Sequence, residues 1–592
     1  MGDMKSAHES QRLLRMPGWA LIVVVVVALW FVTTHFIHVF TEVINWDEFA
    51  MLERAERTWR FGKVIGDGRP GLISIALMPF VSNCVDAARS VVNARILWQG
   101  ITLGYLVGVY FLVRRWFSFA GRPDEGKAEG LLSVALLAFL PAFVTWSVQV
   151  RSDQAALAAL TWAGVLLMSV GPLSAVASGS LIAVGLLCTQ KSLYVLGICG
   201  VLFATAVAAR LQLTPDRSRA IVKECFGRLS LVALSAAMVV AIYVLVVPEA
   251  TNVTDRSMIL GALDTMQYSR RSQGFRIYTV HLDRLIVHWA LFVALVFSTI
   301  RALRNPDRFD SPLVACSWLL LLLGFIVILV HGSSFPYFLM TAGLFPALAL
   351  GMTAGQTIGR LGQSAWPAVA ALLVMSALQS ARESLEMFYD TQWEQRETLR
   401  LTFDTPLRSR RGYQMEGALL CTHDPQPFPI MFSPNIWQRF YGSPASAQNE
   451  QDFMREFRER PVTYIVESYR LVQLPEKVRA FLSAHYIWYA RSLYIAGYNI
   501  DGSVSPRTVD VIVPGKYRWD ADPEFVGSTL LVGGRLLGSG DTVELDTGVH
   551  EVATAGKSMR GQLILADLPR PQRDGYAAFY HHRQIAQLGG YR

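Results

Sequence analysis

Residues 19–48 read WALIVVVVVALWFVTTHFIHVFTEVINWDE. From Trp19 to Val39 the run is apolar, and a membrane-spanning helix needs about 20 such residues. Lys5, Arg12 and Arg15 precede it, and no small-residue cleavage pattern follows. The run therefore reads as an uncleaved first span, and its basic flank places the N-terminus in the cytoplasm. Beyond the run stands an acidic pair, Asp47-Glu48, at the outer water boundary.

The same apolar character continues to about Gln379 and then thins. Over all 592 residues, 52% are hydrophobic and 17% charged, with a mean hydropathy of +0.33. Soluble chains carry about 25% charged residues. A purely soluble or disordered chain is excluded, and so are collagen and a disulfide scaffold, since the chain has only 45 Gly and 6 Cys. Cys188, Cys199 and Cys316 fall in apolar runs, while Cys84, Cys225 and Cys421 are scattered. No CxxC suggests zinc or a redox pair, and the chain is not expected to need disulfides.

Apolar runs at 19–39, 92–113, 130–150, 154–170, 173–188, 193–209, 229–247, 286–303, 312–331, 336–357 and 365–380 give about eleven spans. The net charge of +8 then falls largely in cytoplasmic loops: Arg114, Arg115, Arg122 and Lys127, then Arg210, Arg217, Arg219, Lys223 and Arg228, then Arg301, Arg304 and Arg308, then Arg360. This is topology-setting charge rather than a nucleic-acid footprint. Two external loops are long, about 40–93 and 248–284. The first contains an amphipathic stretch, Trp46 to Phe61, and a semi-apolar one, Leu72 to Val81.

The expected fold is a polytopic α-helical membrane protein over residues 1–380, with a C-terminal extracytoplasmic soluble domain. Residues 381–505 read as α/β. Ala381 to Leu401 is a polar helix, Thr463 to Val466 a strand, Pro475 to His485 a helix and Ser492 to Ile495 a strand. Residues 506–570 alternate and are turn-rich, with Gly533-Gly534 as a hairpin turn. This piece resembles a small β-sandwich of the PEGA type. A basic tail covers 571–592.

Several residues can carry chemistry, each beside a structural alternative. Asp47 and Glu48 are placed to deprotonate a hydroxyl or to hold a divalent cation. Equally, Asn45 with Glu48 three residues on makes a capping box. Arg151 and Asp153 sit in a tight external turn, where Ser152 is an expected N-cap and Asp153 favours the helix dipole. Lys191, in the next external turn, suits either a snorkelling anchor or a lipid phosphate. Arg270, Arg271, Arg276, His281 and Arg284 make an external basic cluster, against the positive-inside trend, that suits an anionic ligand or lipid headgroups. His331 and Tyr337 flank a turn with Pro336, as a helix cap and belt material or as further site residues. No Walker A, HExxH or credible GxSxG occurs.

This ordered set resembles the GT-C glycosyltransferases, most closely the branch of protein O-mannosyltransferases and the lipid A aminoarabinose transferase. The resemblance covers about residues 10–380. It implies transfer of a sugar from a polyprenyl-phosphate donor to a glycan, lipid or protein acceptor outside the cytoplasmic (inner) membrane. It also implies Asp47 as catalytic base and Glu48 as its acidic partner. Arg151 and Asp153 match a second acidic site, and Lys191, Arg276 and His281 match donor-phosphate contacts. A divalent cation (Mg, Mn or Ca) would be held by Asp47 and Asp153. The chain departs from the pattern at Arg69-Pro70-Gly71, where the family has two prolines, and at Lys191-Ser192. Membrane lipid is an expected partner and nucleic acid is not. The competing classes are an envelope polysaccharide polymerase or ligase, a non-catalytic membrane scaffold and a transporter; a transporter would place charges at the midplane and show repeats.

Overall fold

The computed structural model describes residues 17–62, 71–82, 84, 86–189, 191–247, 286–304, 310–331, 338–359, 365–386, 388, 391–414, 444–467, 474–502, 507–554 and 559–569. Helix α1 (Gly18–Thr41) starts after Pro17 and is apolar on every side. The connection that follows contains α2 (Trp46–Phe61) and α3 (Leu72–Val81), the two stretches singled out in the sequence. Then come α4 (Ala87–Phe119), α5 (Lys127–Ala138), α6 (Pro141–Trp146), α7 (Ser152–Leu167), α8 (Pro172–Cys188), α9 (Ser192–Leu213) and α10 (Ser218–Val246). Helices α11 (Ile286–Arg304), α12 (Asp310–His331), α13 (Leu339–Ala342), α14 (Leu344–Gly359) and α15 (Ala365–Gln379) complete the apolar part.

Among the described residues, five helical segments are long and apolar enough to cross a membrane: Gly18–Thr41, Ala87–Phe119, Ser192–Leu213, Pro215–Val246 and Ser311–Leu329. Only 22% of the most apolar window of the first, and 11% of that of the fourth, is buried by the rest of the chain. Apolar side chains such as Leu29, Leu234 and Leu245 face outward, which hydrocarbon tolerates and water does not.

The expected span at 130–150 is broken. Pro141 lacks an N–H and disfavours a helical residue before it, so Leu140 is extended and the short α6 begins at Pro141. The irregular backbone after α6 is buried, and side chains satisfy it. The Ser147 carbonyl accepts from Gln99, Thr102 and Gln154, as non-helical backbone at membrane depth requires. Elsewhere, helices approach closely through glycine. A Cβ on Gly351 would meet Ser133 backbone at 2.6 Å, and one on Gly355 would meet Glu129 Cα at 2.5 Å. These small residues, four apart, seat α14 on α5.

The expected polar helix from Ala381 to Leu401 is also interrupted. It forms α16 (Ala381–Glu386) and α17 (Trp393–Asp404). Between them the Gln392 N–H donates to the Thr41 carbonyl at 2.8 Å, Thr391 bridges Glu42, and the Gln392 side chain donates to the Phe40 carbonyl. Those bonds to the end of α1 outcompete helix continuation.

The C-terminal part contains β1 (Gly412–Gln414), α18 (Pro444–Glu459), β2 (Tyr464–Val466), α19 (Glu476–His485), β3 (Tyr486–Ala490) and β4 (Leu493–Asp501). It continues with β5 (Arg507–Val511), β6 (Gly515–Ala521), β7 (Leu530–Val532), β8 (Arg535–Leu537), β9 (Thr542–Leu545), β10 (Gly548–Thr554) and β11 (Arg560–Leu565). One sheet has the order β1-β2-β4-β11-β6-β9 with β3 also on β4; a second has the order β5-β10-β7-β8. Among the described residues, only the β1–β2 pair is parallel. Gly533 and Gly534, at φ 55° and 82°, close the β7–β8 hairpin with Val532 opposite Arg535; two positive-φ residues define the turn that matches strand twist. Hydrogen bonding crosses residue 505, since β11 pairs with β4 on one side and β6 on the other. Tyr413, Tyr464, Tyr486, Tyr517 and Trp519 fill the core beneath.

Candidate functional site

The α1–α2 connection, the α3–α4 connection, the α6–α7 turn and the α8–α9 turn all lie at one end of the helical bundle, because successive helices run back and forth. Asn45 starts α2. Its side chain accepts from the Asp47 N–H at 2.9 Å, and its own N–H donates to Glu48 Oε2 at 3.0 Å. The capping box is therefore present.

Capping accounts for only part of Glu48, whose side chain is fully buried. Oε1 accepts from Arg95 Nε at 2.8 Å and from the Val150 N–H at 2.9 Å. Oε2 accepts from Arg95 Nη2 at 2.6 Å. Arg95 is equally buried, and its remaining donors go to the carbonyls of Glu42 at 2.9 Å and Val43 at 3.0 Å. This bidentate fork is the arrangement in which a buried ion pair is held without orphaned donors. It ties the end of α1, the start of α2, α4 and the α6–α7 turn to one point. The motif reading did not single out Arg95, although the signal was present as the one charge inside the second apolar run.

Asp47 takes a different partner. Its Oδ2 lies 2.8 Å from Arg151 Nη2. The Arg151 guanidinium sits 5.8 Å from the Trp146 ring centroid, and the Arg151 carbonyl accepts from Trp98 Nε1 at 2.8 Å. Two residues on, Asp153 Oδ2 lies 2.7 Å from Lys191 Nζ, and Lys191 stands 6.0 Å from the ring centroid of the buried Phe338. Two residues of chain span at most about 7 Å, so the two ion pairs are neighbours. Exposure separates these groups. The side chains of Asp47 and Lys191 are 18% and 21% exposed, those of Arg151 and Asp153 only 4% and 5%.

Ser152 is not the cap it was expected to be. Arg151 is the extended N-cap residue without a side-chain cap bond, and Ser152 is the first helical residue of α7. Asp153 stays in the first turn, as its charge favours. The α7 N-terminus is thus fixed by ion pairing and by Trp98 rather than by a hydroxyl. Arg276, His281 and Tyr337 lie outside the described residues, as does the turn with Pro336; His331 ends α12.

Asp47 and Asp153 each face a cation of the chain, and among the described residues no group of three or more His, Cys, Asp or Glu side chains stands together. Four cysteines are free and buried, but Cys84 is disulfide-bonded. This corrects the expectation that no disulfide is needed, since spacing alone cannot reveal pairing.

No family model matches the chain, and no curated protein matches it. Solved structures do. The oligosaccharyltransferase of Archaeoglobus fulgidus, in complex with Zn and sulfate, is similar over 94% of this chain and 99% of its own, with 13% identity and a TM-score of 0.45. The same enzyme, AglB, in complex with an inhibitory peptide and a dolichol-phosphate, covers 90% of this chain and 76% of its own, with 13% identity and a TM-score of 0.42. ArnT from Cupriavidus metallidurans in the apo state covers 76% of this chain and 93% of its own, with 12% identity and a TM-score of 0.36.

Proposed function

We propose that this chain is an integral-membrane glycosyltransferase of GT-C type, which moves a sugar from a polyprenyl-phosphate donor to an acceptor hydroxyl outside the cytoplasm. One observation carries the reading. Segments far apart in sequence set a partly exposed carboxylate, Asp47, and a partly exposed ammonium, Lys191, at one end of the bundle on two adjacent ion pairs. Sugar transfer needs both: a base for a hydroxyl of high pKa and a cation for the departing phosphate.

In this mechanism a carboxylate oxygen of Asp47 takes the acceptor hydroxyl proton. The acceptor oxygen forms a bond to the anomeric carbon as the bond from that carbon to the phosphate oxygen breaks. The electron pair leaves with the polyprenyl phosphate, and Lys191 holds its charge. Arg151 orients Asp47, and Asp153 orients Lys191. By the resemblance, Arg276 and His281 would add further phosphate contacts. Glu48 is a positioning residue, since Arg95, Asn45 and Val150 occupy its carboxylate. Single displacement by one base inverts the anomeric centre. The Cys84 disulfide supports the orientation, because disulfides persist in oxidising compartments and Cys84 lies just before α4, at the end that carries Asp47. In this reading residues 1–380 do the chemistry and the C-terminal region faces the acceptor.

The test is Asp47→Asn in purified enzyme, with labelled sugar supplied on total polyprenyl-linked lipids. The expected result is normal accumulation in the membrane with transfer lowered by at least about 100-fold. Unchanged transfer would remove Asp47 as the base and leave the motif with Asn45–Glu48 capping and the buried Glu48–Arg95 pair alone.

A further inference from the structure

Away from the ion pairs, α19 and the β2–β4–β3 face flank a half-open cleft of about 410 Å³, within the range of small-ligand sites. Its floor is a cross-strand row. Ile465 is registered with Tyr494, and Tyr494 with Trp488, so the three side chains share one face. Trp488 and Tyr494 are half-buried, and the indole N–H of Trp488 donates to the Arg491 carbonyl at 2.7 Å, which fixes the ring. The opposite wall is one face of α19, with Arg479, Leu482 and Ser483 at helical spacing. The buried Glu467 completes the lining.

We propose that this cavity binds a neutral saccharide, the carbohydrate part of the acceptor; the word acceptor rests on the transferase reading, and the ligand class rests on the cavity. Flat aromatic faces suit the C–H faces of a sugar ring. A guanidinium, a carboxylate and a hydroxyl around them supply donors and acceptors together, which matches hydroxyls that both donate and accept. An anion is disfavoured, because Glu467 offsets Arg479. An extended peptide is disfavoured as well. β4 is paired at this level by β2 on one side and β3 on the other, so a peptide strand would add at the outer edge of β3, beside the aromatic row rather than over it.

The position fits an acceptor platform. The β3–β4 turn rests on α17 through the Arg491–Glu394 ion pair and a Thr398–Ser492 bond of 3.0 Å. The same helix holds Ile44, just before Asn45, through Gln395.

The experiment uses the full chain in nanodiscs and an array of neutral and acidic tetrasaccharides built from hexose, pentose and amino-sugar units. Binding of the strongest neutral tetrasaccharide is then titrated by tryptophan fluorescence. Saturable binding is expected, weakened about tenfold or more by Trp488→Ala or Tyr494→Ala. Trp488→Phe is expected to stay within about threefold of the parent. Arg479→Ala, on an exposed helix face that cannot disturb the core, is expected to weaken binding about tenfold. Asp47→Asn should bind as the parent does. No retained neutral saccharide, retention of a peptide library instead, or binding indifferent to Trp488→Ala, Tyr494→Ala and Arg479→Ala would overturn the proposal. No sugar transfer by the parent chain from any polyprenyl-linked lipid, alongside saccharide binding lost in Trp488→Ala, would overturn the transferase reading and leave the cavity assignment standing.

Discussion

Asp47 and Glu48 are adjacent in sequence and occupy opposite environments, because a helical step of about 100° turns one toward Arg151 and the other toward Arg95. The consequence is a clean split between activity and stability. Breaking a buried ion pair by removing one partner costs about 3–5 kcal/mol, so Glu48→Ala and Arg95→Ala should both lower the unfolding temperature and membrane level. Their double variant should lose less than the sum of the two singles. Additive losses in thermal unfolding would mean that the two side chains act separately. Lys191 makes a third case. Lys191→Met leaves Asp153 without its cation, and in the transferase reading it also removes a phosphate contact. Donor KM is then expected to rise about tenfold or more, with acceptor KM unchanged. Equal effects on both KM values would reduce Lys191 to a structural partner of Asp153. The acidic motifs and Lys191 were legible because each sits beside an apolar run. Arg95 was not singled out, since a lone arginine within such a run gives no hint of which distant carboxylate it meets.

Elements were legible wherever the pattern was local. Helices α2 and α3 have the bounds the sequence suggested, because the amphipathic spacing and capping residue of α2 and the apolar run of α3 are local signals. The breaks at Pro141 and at 387–392 were not, as both depend on partners elsewhere: buried side chains on Ser147, and the end of α1 on residues 391–392. Strand β3 escaped notice because Tyr486 follows α19 with no turn between them. The α5–α14 seam gives a prediction of its own. Gly355→Val would force a branched side chain onto Glu129 backbone at a Cβ distance of 2.5 Å, and overpacking of this kind costs about 1–3 kcal/mol. A clear drop in membrane level and unfolding temperature is expected, and wild-type values would mean that the helices part without cost. Asp510 gives a pH prediction on β5. Burial raises its pKa, but Arg458 at 2.7 Å and His485 at 3.4 Å lower it more, leaving the carboxyl below its usual value. A depressed pKa stabilises above the unfolded value, about 3.9, and the gain is lost as pH falls through the folded value. Thermal unfolding of Asp510→Asn should therefore be lowered at neutral pH and should fall less steeply than the parent below about pH 4. Parallel curves would show that the pair contributes nothing.

At the scale of the whole molecule, the question is how a β-rich region communicates with a helical bundle. Composition located the change of character near residue 380, and the structure adds what no local pattern carries: β11 returns to lie beside β4 across the 505 position, so the strands on both sides of it share one sheet. The connection back to the bundle is equally specific. Gln395 on α17 accepts the Ile44 N–H at 2.6 Å and donates to the Ile44 carbonyl at 2.8 Å, and its side chain is buried there. Ile44 is the residue before the α2 N-cap, so this two-way clamp fixes the backbone from which Asp47 projects. A carboxylamide suits this clamp because it carries a donor and an acceptor side by side on one carbon and in one plane. Gln395→Glu keeps the shape but loses the donor, and Gln395→Leu loses both. If the clamp positions Asp47, both variants should lower kcat for sugar transfer and leave saccharide binding at the β2–β4–β3 cavity unchanged, with Gln395→Leu the more severe. A structural role alone would instead lower the unfolding temperature with kcat per folded molecule preserved. Measuring turnover and unfolding on the same preparations separates the two, and preserved turnover in Gln395→Leu would show that the β-rich region does not set the position of the base.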